Sequence, residues 1–219
     1  MTISRANGAA LQPTRTAIMP KMTLYHCPRT RGFHALWMLE EIGEPFDLRI
    51  VNVRDDIQSE AYGAVNPMRK VPALEVEGEL ITESAAICTW LADRFADKGF
   101  APAIDAPGRG SYLRWLFFAG SVIEPAFMDK AMSRDTPRQT AGWGDLASVK
   151  ATLARGLDGR DYLVGDHFTA ADLMIGSTLN FMMMFNLLER IEPFSGYVAR
   201  LTERPAYKRA FEREAALAG

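Results

Sequence analysis

Lys70-Val71-Pro72-Ala73-Leu74-Glu75-Val76-Glu77-Gly78-Glu79-Leu80-Ile81-Thr82-Glu83-Ser84 is the stretch around which the rest of the chain falls into order. Two short apolar runs flank Glu77-Gly78, with Gly at one of the two turn positions, a β-hairpin pattern. Proline at the head of a hairpin strand removes a ladder donor. It becomes useful if the Val71-Pro72 bond is cis, which costs only ~0.5–1 kcal/mol at X-Pro. The Val71 N–H and C=O can then turn outward and pair with a peptide-like ligand as an added strand edge. A trans proline starting an edge strand is the plainer alternative. Glu83-Ser84 opens the next helix, whose free N–H groups make an anion site. There Ser84 offers a donor to a carboxylate and Glu83 a partner to an ammonium, together fitting the head of an α-amino acid. Simple capping by Ser84, with Glu83 favouring the helix dipole, is the other reading.

Working outward, Met22 to His26 reads as a strand and Gly32 to Ile42 as a helix, with Ala35, Leu36, Leu39 and Ile42 on one side. Gly43 suits the C′ position of that helix. Phe46, Leu48 and Ile50 alternate with polar residues as a second strand, and Asp55 to Tyr62 reads as a short helix before the Asn66-Pro67 turn. After the hairpin, Ile87, Leu91 and Phe95 continue as a helix. This order indicates an α/β layer with a mixed four-stranded sheet over residues 22–99. Ala101, Pro102, Pro107 and Gly108 punctuate a boundary, and residues 108–219 carry only helical patterns, so an all-α helical bundle is expected there. Tyr112 to Ala131 reads as one long helix that Pro125 kinks or ends. Thr169-x-x-Asp172 is a capping box with Phe168 placed as a staple, and Arg204-Pro205 begins the last helix.

Composition narrows the function classes. The chain has 219 residues, 48% hydrophobic and 24% charged, with net charge -2, which is ordinary globular usage. That charge leaves no electrostatic footprint for nucleic acid, and no run of about 18 apolar residues spans a membrane. Two cysteines, Cys27 and Cys88, make no disulfide framework, and His26, His34 and His167 show no metal-ligand spacing. No metal is expected, and a cytoplasmic, reducing setting is. Residues 1–21 carry Arg5, Arg15 and Lys21 with no acid and read as a flexible leader, a short transit peptide being the alternative.

Val71-Pro72-Ala73-Leu74, Glu83-Ser84 before a helix and the Thr169-x-x-Asp172 box resemble the glutathione transferase superfamily in order and spacing. The resemblance covers the chain from about Met22 to the C-terminus. It implies a thioredoxin-like N-terminal domain that binds glutathione as co-substrate, a helical C-terminal domain, a homodimer, and an apolar pocket for a small electrophile. Carried onto this sequence, Val71 after cis-Pro72 holds the cysteinyl backbone of glutathione. Glu83 and Ser84 hold the γ-glutamyl end, and Lys70, with Arg69 beside it, faces the glycine carboxylate.

The activating residue departs from the family pattern. The segment is Leu24-Tyr25-His26-Cys27-Pro28-Arg29-Thr30-Arg31-Gly32. Tyr25 lies early, within the strand, and Cys27 sits about two residues ahead of the usual place for a thiol. Lowering a thiol by two pH units needs roughly 2.7 kcal/mol. A helix end supplies about 0.3–1 and a hydroxyl donor to a charged acceptor about 1.5–3. Thr30 is therefore the expected thiolate partner, with a guanidinium from Arg29 or Arg31 assisting; capping of the helix by Thr30, with both arginines solvated, is the alternative. Cys27-Pro28-Arg29-Thr30 also resembles the one-thiol motif of glutaredoxins, which makes Cys27 a rival nucleophile for disulfide reduction or peroxidase chemistry if the helix begins near Pro28. By the resemblance, Tyr112, Trp115 and Phe118 line the second-substrate pocket, joined by the soft run Met182 to Phe185, with plain core packing the default reading of both clusters. His34 and His167 are expected at the surface or in caps. A transferase-like fold kept as a non-catalytic binding module is the remaining alternative.

Overall fold

The computed structural model describes residues 20–52 and 54–217. The leader expected over residues 1–21 therefore lies outside the described residues except for Pro20 and Lys21. Strand β1 (Met22–His26) is buried along its whole length, because it is the inner strand between a parallel and an antiparallel neighbour. It pairs in parallel with β2 (Asp47–Ile50) and antiparallel with β3 (Ala73–Val76), and β4 (Glu79–Thr82) closes the edge. The order β2-β1-β3-β4 is the mixed sheet expected from the sequence. Glu77 and Gly78 both take positive φ, 51° and 91°, as a two-residue hairpin turn of this hand demands.

Helix α1 (Gly32–Ile42) buries nine of its eleven residues. It packs on the sheet and also against the helical half, through α7 (Ala170–Met184) and α9 (Pro205–Leu217). Gly43 ends it at φ 74°, its N–H returning to the Leu39 carbonyl at 3.0 Å, the left-handed cap glycine favours. The helix expected over 55–62 is instead a 3-10 turn (Asp56–Gln58) followed by α2 (Glu60–Val65). Ser59 makes the difference: it is extended, and its hydroxyl accepts the Tyr62 N–H at 3.1 Å, so it restarts the helix as a cap. On the far face of the sheet Tyr25, Val51, Ile57, Tyr62 and Ala73 form a small second core.

After α3 (Ser84–Arg94), the single helix expected over 112–131 is three pieces: α4 (Arg109–Phe118), a π-helical turn (Ala119–Ile123) and α5 (Glu124–Ala131). Pro125 lies in the first turn of α5. Its ring would meet the carbonyl four residues back in a continuous α-helix, and the wider π turn relieves that. Helix α6 (Leu146–Leu157) is capped by Asp145. α7 buries twelve of fifteen residues, as a helix wrapped on all sides does. Its capping box is formed as expected. The Asp172 carboxylate accepts the Thr169 N–H at 2.9 Å, the Leu163 N–H at 2.8 Å and the hydroxyl of Tyr197, from α8 (Phe194–Thr202), at 2.9 Å. Burial pushes the Asp172 carboxyl up in spite of these bonds. One continuous core runs from Leu24 and Trp37 to Leu173 and Tyr207, so the sheet layer and the helices share an interior. Across that junction Glu40 receives Arg209 and Arg213, both at 3.0 Å.

Candidate active site

The loop between β1 and α1 carries the densest chemistry. Arg29 stands at φ 60°, a left-handed conformation costing an L-residue roughly 1–2 kcal/mol. The Thr30 hydroxyl donates to the Cys27 carbonyl at 2.6 Å and accepts the Gly32 N–H at 3.1 Å. The Arg31 carbonyl is a junction. It accepts the His34 N–H at 3.2 Å, the His34 ring at Nδ1 at 3.1 Å and, more loosely, the Ser84 hydroxyl at 3.5 Å. Through that carbonyl the start of α1 and the start of α3 meet. The Arg31 guanidinium pairs with Glu124 at the head of α5.

Both expected backbone features are present. The Val71-Pro72 bond is cis, and the Val71 N–H and C=O form no hydrogen bond among the described residues. The turn before it is held by the Lys70 carbonyl, which accepts Tyr62 Oη and Asn66 Nδ2, each at 2.7 Å. Glu83 occupies the N-cap position of α3 without a side-chain capping bond, at φ 71°, ψ 124°, a sparsely populated region costing about 1–3 kcal/mol and characteristic of functional sites. Lys70 is exposed and has no ion pair among the described residues. Arg69 differs from expectation. Its guanidinium turns back to the carbonyls of Ile57 (3.1 Å) and Ser59 (2.7 Å), stitching the 56–60 segment to this turn.

A cavity of about 570 Å³ opens beside the loop. Its rim is Arg29, Thr30, Arg31, Glu124 and Glu214, and its walls are largely apolar, with Phe33, Met182, Met184, Phe211 and the Phe181–Phe185 ring pair at 4.6 Å. Tyr112, Trp115 and Phe118 do not line it. Trp115 lies against Gly156 of α6, Phe118 stands edge-on to Trp115 at 5.3 Å, and Tyr112 is fully enclosed. An aromatic stripe at helical spacing signals a buried face without naming its neighbour, and here that neighbour is the core. Part of the Met182 to Phe185 run does face the cavity.

His34 is buried rather than at the surface, and it lines the cavity. Burial drives its pKa down to about 4. The neutral ring donates from Nδ1 to Arg31, which leaves Nε2 to accept the Thr178 hydroxyl at 3.4 Å. His167 is exposed beside Asp166. Cys27 is half-buried, its Sγ 3.7 Å from the Pro28 carbonyl. α1 begins at Gly32, so the helix start near Pro28 that favoured a reactive Cys27 is not present. Cys88 is sealed in the core, and burial pushes its thiol up to about 12. The Tyr25 hydroxyl is bonded across the sheet to Glu75 at 3.0 Å.

Glu124, His34 and Glu214 escaped the sequence reading. Glu124 left a signal: it is the one charged residue between Arg114 and Asp129. Burial raises its carboxyl, and the Arg31 guanidinium works against that rise. Among the described residues no three His, Cys, Asp or Glu side chains gather as metal ligands. No helix there is long and apolar enough to cross a membrane.

Residues 27–94 match the family model described as "Glutathione S-transferase, N-terminal domain". The glutathione S-transferase GstA of Escherichia coli O157:H7 is 27% identical over 204 residues, 88% of this chain and 98% of its own. Human glutathione S-transferase theta-1 is 30% identical over 148 residues, 59% of this chain and 60% of its own. Among solved structures, a glutathione transferase from Methylococcus capsulatus superposes with TM-score 0.77 at 26% identity, covering 89% of this chain and 99% of that one. A sphingomonad glutathione S-transferase complexed with glutathione superposes with TM-score 0.70 at 28% identity, covering 88% and 98%.

Proposed function

The chain belongs to the glutathione S-transferase superfamily, and from that premise we propose that it joins the glutathione thiolate to a small hydrophobic electrophile. Glutathione transferase activity in general follows from the family; the electrophile class and the roles below are our reading. Val71 offers its backbone to the cysteinyl unit, Glu83 and Ser84 take the γ-glutamyl end, and Lys70 faces the glycine carboxylate. A glutathione-binding unit over 22–99 and a helical unit over 108–219 make up each subunit of a cytoplasmic homodimer.

One observation carries this reading. The polar turn Arg29–Arg31, tied to Ser84 through the Arg31 carbonyl, forms the rim of an apolar chamber of about 570 Å³. A sulfur held at that rim faces a space suited to an apolar reactant, where fixed donors hold a thiolate. Thr30 is the donor we assign. To serve, its hydroxyl swings from the Cys27 carbonyl to the sulfur. The Thr30 and Arg31 N–H groups, unpaired among the described residues, add to it. The first N–H groups of α1 are spent on Thr30 and Arg31, so the helix end contributes only its dipole. The thiol releases its proton to water, the sulfur lone pair forms the new bond to carbon, and the leaving group departs with its electron pair.

Ultraviolet titration of the bound thiolate, with aryl-halide conjugation alongside, tests this in wild type and Thr30→Ala. We expect the bound-thiol pKa to rise by about 1–2 units in the variant and conjugation to fall in step. An unchanged titration discards Thr30. Reduction of a glutathione mixed disulfide that is lost in Cys27→Ser, with no conjugation by wild type, transfers the assignment to disulfide chemistry. Calorimetry without heat of glutathione binding leaves a binding module.

A further inference from the structure

Three buried or half-buried ionisable groups stand outside the proposed thiolate chemistry: His26, Glu124 and Glu214. All three converge on the turn that carries Thr30. The Arg29 N–H finds its acceptor 185 positions away, at Glu214 Oε1, 2.8 Å distant. The same oxygen lies 3.5 Å from Nε2 of the fully buried His26. That second contact is within ion-pair reach but too poorly aligned to be a hydrogen bond, so the tie to Arg29 is the directional one. Two residues on, Glu124 holds the Arg31 guanidinium. The tripeptide Arg29–Thr30–Arg31 is thus bracketed by two carboxylates, and both come from the helical half of the chain.

We propose that Glu214, on the last turn of α9, is a positioning residue for the glutathione thiolate: by accepting the Arg29 N–H it fixes the turn from which Thr30 reaches the sulfur. The proposal rests on the Thr30 reading above. Arg29 has a left-handed backbone without being glycine, so the turn needs an outside hold to stay in place. Glu214 supplies it from the far end of the chain, at the rim of the cavity where the second substrate is proposed to sit. α9 is seated independently, by Arg209 and Arg213 on Glu40, so losing the Glu214 carboxylate leaves the helix anchored. The bracket joins thiol activation to the helical wall of the cavity.

The test uses the full chain with Glu214→Ala, Glu214→Gln and Thr30→Ala. Each is assayed for the ultraviolet titration of bound glutathione and for kcat and glutathione KM with an aryl halide. For Glu214→Ala we expect the bound-thiol pKa to rise by about one unit and kcat to fall about tenfold, with glutathione KM within about twofold of wild type. Glu214→Gln keeps an acceptor oxygen without the charge and should restore the titration. A wild-type titration in Glu214→Ala, or equal losses in the Ala and Gln variants, overturns the inference. If Thr30→Ala shifts the thiol and Glu214→Ala does not, only the role of Glu214 falls. If Thr30→Ala leaves it unshifted, the underlying reading has failed.

Discussion

Arg204 forks onto Glu41: its Nε and Nη2 donate to the two carboxylate oxygens at 2.6 and 2.8 Å. The same guanidinium lies 3.7 Å over the ring of Phe168. Glu41 belongs to α1 and Arg204 directly precedes α9, so this pair and the Glu40 cluster fasten two distant parts of the chain. The Glu41 side chain is only 6% exposed, and its other donor is Trp37 Nε1 at 2.9 Å.

Removing Arg204 leaves that carboxylate enclosed and short of a counter-charge. Arg204→Ala is expected to destabilise the fold by roughly 3 kcal/mol, the low end for a broken buried pair, because the Arg204 side chain keeps 28% of its exposure. Arg204→Lys keeps the charge but neither the fork nor the flat stacking surface, and should lose about half as much. Urea unfolding of both variants checks the order. Equal midpoints for wild type and Arg204→Ala would contradict it.

His34 gives the fold a pH dependence whose sign is fixed. Unfolded, its ring takes up a proton near 6.5; folded, not until about 4. Between those values the unfolded chain binds more protons, so stability falls as pH drops. The contribution is complete above pH 6.5 and is lost progressively toward pH 4, a span worth roughly 3 kcal/mol. Subtracting the pH profile of His34→Gln from that of wild type isolates it. A flat difference between pH 4 and 7 would remove the assignment.

Gly156 sets two forces against each other. It lies inside α6, where alanine is favoured by about 1 kcal/mol, but a Cβ there would stand 2.5 Å from the Trp115 ring. A rigid indole has nowhere to turn, and overpacking costs about 1–3 kcal/mol. Gly156→Ala is therefore expected to be net destabilising by about 1 kcal/mol. In a Trp115→Phe background the same change should turn neutral or favourable. Thermal melts of the four-member cycle measure that coupling.

What the sequence disclosed was what its local rules govern. The hairpin over 73–82, the left-handed Gly43 and the Thr169–Asp172 box each depend on residues within a few positions, and each stands where the pattern put it. The cavity depends on segments near residues 30, 124, 180 and 210, and no periodicity reports which of them will meet. Tyr112 and Trp115 illustrate the loss: their spacing announced a buried face, which fits a core and a pocket equally. His34 shows the same limit, since a histidine beside Ala35, Leu36 and Trp37 gives no sign that its ring is enclosed. Arg69 and Ser59 were missed for a different reason. Each competes for backbone groups through its side chain, a contest decided by small geometric differences that composition does not carry.

The widened turn at 119–123 has a consequence for how this chamber can change. Each residue added to or taken from a helix rotates everything beyond it by about 100°. Deleting one residue there would close that turn, set the Pro125 ring against the backbone before it and shift Glu124 relative to Arg31, while α4 upstream kept its seat. A single-codon insertion or deletion at this point is thus a dial: it re-aims one wall of the chamber while the four-stranded sheet stays as it is.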